Sequence, residues 1–168
     1  TESQQIAFLA NLYNAATLKL IVEHYPVKSI KDIGGVFKGP WDQKVVRLFG
    51  KTITLNNLEH DILRKDYNEP RLHVALVCAA KGCPPLRSEA YVAERLNEQL
   101  DDQSRTYLTS PMGMRVDRAK GEVHVSSIFK WYGGDFASVP AFVSKHSGED
   151  VSGLKLRYLL YDWRLNEP

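Results

Sequence analysis

Between Pro70 and Gly82 the chain carries a nearly continuous apolar run, RLHVALVCAA, and then breaks it with KGCPPL. A run of strand length with no polar side must be covered from two directions, so it reads as a strand buried on both faces. Period two would then set Leu72, Val74, Leu76 and Cys78 on one side and His73, Ala75 and Val77 on the other. The prolines that end the run have no backbone N–H and are tolerated only outside a helix or in its first turn. With Pro84 as the first helical residue, Cys83 becomes an N-cap, its sulfur beside unpaired N–H groups and the positive end of a helix dipole. Such a setting lowers a thiol pKa from about 8.5 and favours the nucleophilic thiolate. Lys81 and Arg87 add positive charge nearby, and Cys78, inside the apolar run, reads as a small buried hydrophobe.

The remaining pattern is of helices and hairpins without a regular βαβ alternation, which predicts an α+β fold, long helices on a small, mostly antiparallel sheet. Ser3 to His24 has apolar residues at helical spacing and is closed by Pro26. Asn11 and Asn14 interrupt it. Asparagine is a mediocre helix former, so the pair is either exposed, engaged in a helix-packing hydrogen bond, or aimed into a polar site. Gly34 to Trp41 reads as loop and KVVRLFGKTITL as a hairpin turning near Gly50-Lys51. A helix follows, with Asn56 as N-cap and Glu59 at capping-box spacing. Ser88 is the expected N-cap of a second long helix that ends before Pro111, and MRVDRAKGEVHVS is a hairpin near Lys120-Gly121. SIFKWYGGDF is a short helix or loop, VPAFVSKHS a brief helix, and LRYLLYDWRLN a closing strand. No repeat, low-complexity segment or long linker divides residues 1–168, so a single domain is expected.

A nucleophilic cysteine needs a base, and the base needs an orienting group. His73 starts the segment that leads to Cys83, and Glu59 or His60 on the preceding helix could orient its ring. Cys78 and Cys83 could also bridge across a turn, although the spacing is not that of a Cys-x-x-Cys site. His60, His73 and Cys83 lack a recognised zinc spacing, so no metal and no other cofactor is expected. Trp131 and Tyr132, among Ser127, Lys130 and Asp135, form either a core corner or a pocket that orients a peptide or small ligand.

Composition narrows the partners. Twenty-two basic against 20 acidic residues give a net charge of +2, and no basic run exceeds two residues. That offers no electrostatic footprint for nucleic acid. No apolar stretch of the roughly 18–20 residues that a spanning helix needs is expected from the sequence, nor a signal-peptide pattern at Thr1. Two cysteines cannot build a disulfide framework, and a chain of this length can bury a core without one. Oligomeric state and compartment are not indicated.

The segments AFLANLYNA, ITLNNLEHDILR, PRLHVALVCAAKGCPPLR, AYVAERLNEQLD and SSIFKWYGGDF, in that order, resemble the domain-of-unknown-function family 547 over residues 5–136. Ala10 stands where a larger apolar residue is expected and Gly82 where serine is usual. The resemblance implies a papain-like thiol enzyme with Glu59, His73 and Cys83 as its catalytic set, in a chain order that differs from the Cys-His-Asn of papain. It also implies Asn11, Asn14, Arg64, Arg87 and Ser127 as site-lining residues, and export from a bacterial cell. The expected activity is a cysteine-dependent hydrolase or acyltransferase acting on a small peptide or thiol-containing ligand. The alternatives are a binding module with the same pocket, or a thiol–disulfide oxidoreductase using Cys78 and Cys83. Helix N-terminal amides near Pro85–Leu86, or Asn11 and Asn14, are the expected oxyanion donors.

Overall fold

The apolar period that begins at Ser3 produces α1 (Glu2–His24), which stops where Tyr25 turns extended ahead of Pro26. The computed structural model describes residues 1–35 and 37–167; Val36, in the loop read at Gly34–Trp41, lies outside the described residues. The loop leads to β1 (Lys44–Leu48) and β2 (Lys51–Thr54), paired antiparallel. Their two-residue turn puts Phe49 at φ 47° and Gly50 at φ 76°, the left-handed geometry a tight hairpin requires.

A π-helix (Asn57–Leu63) follows and runs into an α-helical turn, α2 (Arg64–Asp66). The expected Asn56–Glu59 capping box does not form. Thr54 and Asn57 form the reciprocal pair instead, with Asn57 N–H donating to Thr54 Oγ1 at 3.0 Å and Thr54 N–H to Asn57 Oδ1 at 3.2 Å. Asn56 donates to Asp42 at 2.7 Å, and Glu59 turns inward, where it is buried.

The apolar run after Pro70 is not a strand. Leu72–Ala75 is a helical turn, α3, and Leu76 then goes extended at ψ 129°. Burial on all sides explains the apolar composition equally well for either conformation. What ends the turn is Asn14. Its Nδ2 donates to the Ala75 carbonyl at 3.0 Å and its Oδ1 accepts from Val77 N–H at 2.9 Å. Asn11, three residues earlier on α1, holds Tyr91 the same way, with bonds of 2.8 and 2.9 Å to its carbonyl and N–H. The two asparagines are therefore packing hydrogen bonders, each replacing a missing strand partner.

No helix follows Pro84. Residues 84–92 stay irregular, and Val92 N–H is satisfied by Gln99 Oε1 at 2.8 Å. The second long helix, α4 (Leu96–Leu108), is preceded by a 3₁₀ turn at Ala93–Arg95, so Ser88 is not its N-cap. Then come β3 (Met114–Asp117) and β4 (Glu122–Val125), turning at Gly121 as expected, α5 (Ile128–Trp131) and α6 (Val139–Ser147). β5 (Lys155–Tyr158) pairs parallel with β4 and completes a sheet of order β3-β4-β5. The closing strand is thus shorter than LRYLLYDWRLN. Residues beyond it form a strap across the cysteine loop, with Lys81, Gly82 and Ala79 bonded to the backbone of Arg164, Asp162 and Asn166.

With 46% helix and 15% strand in two small sheets, the fold is α+β, as read from the sequence. One core gathers α1, the β1–β2 hairpin, the π-helix and the start of α4. A second gathers the end of α4, the three-stranded sheet, α5 and α6. The 72–83 segment contributes to both, and Val77, Ala80 and Cys83 form a small cluster of their own. It lies where the cores meet. By length and mean hydropathy (1.2 over its best window) α1 could cross a membrane; half of that window is buried in this domain.

Replacing Asn14 by leucine removes both clamp bonds and leaves the Val77 N–H without its partner. The expected cost is about 2–4 kcal/mol in urea unfolding; a loss within experimental error would show that the clamp is not needed.

Candidate functional site

The irregular path from Leu76 to Cys83 has a purpose that appears when its neighbours are placed. One cavity of about 70 Å³ is lined by Glu59, His73, Cys78 and Cys83, by Trp131 and Tyr132 after the β4 strand, and by Tyr161 and Trp163 of the strap. Residues from the π-helix, α3, the cysteine loop, α5 and the C-terminal strap therefore meet at one point.

The two thiols differ. Cys83 is 8% exposed and its Sγ accepts from Cys78 N–H at 2.8 Å. It sits in a tight turn closed by its own N–H to the Ala80 carbonyl at 2.9 Å, and with no helix behind Pro84 it has no dipole to stabilise a charge. Burial, and then Cys78, push its pKa well above that of an ordinary thiol. The expectation of an N-cap thiolate at Cys83 is corrected by the chain's path. Cys78, expected to be packing, is the less buried residue of the two. Its pKa is lowered by the hydrogen bond from Cys83, helped by Tyr161, whose hydroxyl lies 3.1 Å away, and by the Ala80 backbone, all against burial.

His73 and Glu59 do not touch through a hydrogen bond among the described residues, nor does His73 bond either sulfur. His73 Nε2 instead meets Asp135 Oδ2 at 2.7 Å, and Asp135 in turn holds a bidentate Arg64 at 2.6 and 2.9 Å. The Tyr132 ring stacks on the imidazole at 4.1 Å. Burial lowers the His73 pKa, with Asp135 pulling the other way, so the ring is neutral in the neutral range. A neutral imidazole held at Nε2 presents Nδ1, which has no hydrogen-bond partner among the described residues. Glu59 accepts from Tyr13 at 2.9 Å and lies near the Tyr132 hydroxyl, whose pKa it raises after burial does.

Of the other expected lining residues, Arg64 supports Asp135 rather than facing the thiols. Asn11 and Asn14 have their amides bonded to backbone and do not line the cavity, and no helix begins at Pro85–Leu86 to supply the expected oxyanion amides. Arg87 is engaged with Asp102 at 2.6 Å and Glu89 at 3.1 Å and does not line the cavity. Ser127 donates to the Leu159 carbonyl at 2.6 Å and anchors the strap. Among the described residues no three or more His, Cys, Asp or Glu side chains form a metal-holding group.

Sequence reasoning does not single out Tyr13, Tyr161 or Trp163 as site residues, and it names Asp135 only as a polar neighbour of Trp131 and Tyr132, not as the partner of His73. Asp135 carried a signal: it is the acidic residue in an otherwise aromatic and glycine segment, WYGGDF. Gly82 has a structural reason as well. A β-carbon there would lie 2.9 Å from the Asp162 backbone nitrogen, so the strap passes where a side chain would be.

Fold and cavity together define an α+β domain with two thiols and an Asp-held imidazole around one aromatic-walled cavity. The chain belongs to the family described as "Protein of unknown function, DUF547", whose model matches residues 1–108. No curated protein and no solved structure matches it. Tyr132, Asp135, Tyr161 and Trp163 all lie beyond the matched stretch.

Arg64, and secondarily His73, hold the Asp135 carboxyl down to about 2. Because the folded value lies below the unfolded one, this stabilisation is complete above about pH 4 and is lost as pH falls toward 2. Asp135→Asn should therefore cost up to about 2 kcal/mol at pH 7, with the gap to the parent closing by pH 2 in pH-dependent unfolding. An equal gap at both pH values would contradict the pairing.

Proposed function

We propose that this protein is a cysteine-dependent hydrolase or acyltransferase acting on a small peptide or peptide-like thiol, in the manner of papain-like thiol enzymes. The observation that carries the reading is the shared cavity: two thiols and an imidazole whose far nitrogen is fixed by a carboxylate. Cys78 is the attacking sulfur, because it is the less buried of the two cysteines and the one whose surroundings favour the thiolate. His73 takes the thiol proton, the sulfur bonds to the carbonyl carbon, and the bond to the leaving amine or thiol breaks as His73 returns the proton to it. Water or an acceptor amine then cleaves the thioester and restores the thiol. Asp135, rather than Glu59, orients the base. Cys83 supports Cys78 as a hydrogen-bond donor.

The adjacency of the thiols, with Cys83 Sγ on the Cys78 N–H, favours one other reading, thiol–disulfide exchange. Cys83→Ala separates the two: it retains acyl chemistry in the first and abolishes turnover in the second.

Iodoacetamide under native conditions should alkylate Cys78 at least about 10-fold faster than Cys83, with a midpoint below that of an ordinary thiol and moved upward by Tyr161→Phe. An activated ester such as p-nitrophenyl acetate should leave one acetyl group on Cys78 by intact mass and peptide mapping, and His73→Ala should slow that step about 100-fold. Equal, slow alkylation of both thiols and no acetyl adduct would remove the proposal.

A further inference from the structure

Glu59 is a buried carboxylate, 7% exposed, that lines the cavity and has no cationic side chain within ion-pair distance among the described residues. The groups that face it are Tyr13 from α1, Tyr132, His73 from α3, Cys78 and, along its own helix, Arg64. Arg64 is not available to it: the guanidinium makes two bonds to Asp135 and a third, of 3.0 Å, to His60. A carboxylate in this position, held by a tyrosine hydroxyl and left without a counter-charge, is costly unless something positive joins it.

The walls suit such a guest. Trp131 stacks on Trp163 with ring centres 5.7 Å apart, and Tyr161 lies 4.9 Å from the first and 4.6 Å from the second. Trp41 closes on Trp163 edge-on at 5.7 Å. Ring faces carry partial negative charge and attract ammonium groups, tryptophan most strongly. The cluster already does this once: Lys31 Nζ sits 3.9 Å over the Trp163 ring, and Lys31 does not line the cavity.

We infer that the cavity recognises a protonated primary amine, its charge set between Glu59 and the tryptophan and tyrosine rings, and that the substrate is an acyl donor with an ammonium group close to the reacting carbonyl, such as the amino-terminal residue of a peptide. The volume of about 70 Å³ is several times what one water needs, roughly 10–15 Å³, and suits an ammonium with a short carbon segment rather than a large side chain. The placement of the carbonyl rests on the thiol-enzyme reading above; the recognition of the amine does not.

Two chloromethyl ketones test it, one of alanine with its amine free and one of N-acetylalanine, with iodoacetamide as a neutral measure of thiol reactivity. The free amine should inactivate about 10-fold faster than the acetylated compound, and this preference, taken as the ratio of the two rates within each variant so that any change in Cys78 reactivity cancels, should fall to about 2-fold or less in Glu59→Gln. Trp131→Leu, at a half-exposed position, should cut the preference about 3-fold and serves if Glu59→Gln fails to fold by circular dichroism. Iodoacetamide labelling without an amine preference, or a preference that survives both variants, would overturn the inference and leave the thiol reading standing. If none of the three reagents modifies Cys78, the thiol reading fails and binding decides. A saturable change in tryptophan fluorescence with propylammonium chloride, absent with propanol and lost in the variant, then supports the amine site. The same response to both compounds refutes it.

Discussion

The Asn14 amide is the interaction on which the arrangement of this protein depends. A side-chain amide offers one donor and one acceptor in the geometry of a peptide group, so it can stand where a neighbouring strand would stand. By binding the Ala75 carbonyl and the Val77 N–H it stops α3 after four residues and sends the chain extended toward Cys78. Without it the apolar run has no partner strand, since neither sheet includes it. Asn11 does the equivalent for Tyr91, so one helix holds both approaches to the cysteine loop.

Other buried amides and hydroxyls extend this logic. Gln103 of α4 reaches the Val74 and Pro85 carbonyls at 3.0 and 2.7 Å, and the Tyr107 hydroxyl lies 2.7 Å from the Gly82 carbonyl. The loop that carries the thiols thus has little regular structure, yet several of its backbone groups are bonded by side chains and by the strap. It is held by side chains on α1 and α4 and by the strap, and such support is what a reactive group needs to keep its geometry.

Electrostatics then sort the groups inside the cavity. Arg64 neutralises Asp135, Asp135 fixes the His73 ring, and burial keeps that ring neutral. Burial pushes the Cys83 thiol pKa up while the surroundings of Cys78 lower its own, so two neighbouring sulfurs are made unlike. Glu59 is left over by this arrangement. Among the described residues it neither bonds the imidazole nor forms an ion pair, and the cavity it lines has aromatic walls.

The elements legible in the sequence are those whose information is local. The α1 period and its stop at Pro26, the hairpin turns at Gly50 and Gly121, α6 and the α+β class follow from spacing and turn chemistry within a few residues. His73 and Glu59 are brought together with a cysteine by the family resemblance rather than by spacing, and both line the cavity beside Trp131 and Tyr132. What only the tertiary structure decided is every relation that depends on a distant partner: that RLHVALVCAA bends at an amide 61 residues away, that Asp135 and not Glu59 holds His73, and that Cys78 is the less buried of the two cysteines. An apolar residue's burial is written in its own side chain, whereas the partner of a polar group is chosen by the whole fold, because a hydrogen bond needs two groups within about 3 Å and sequence spacing does not measure that distance.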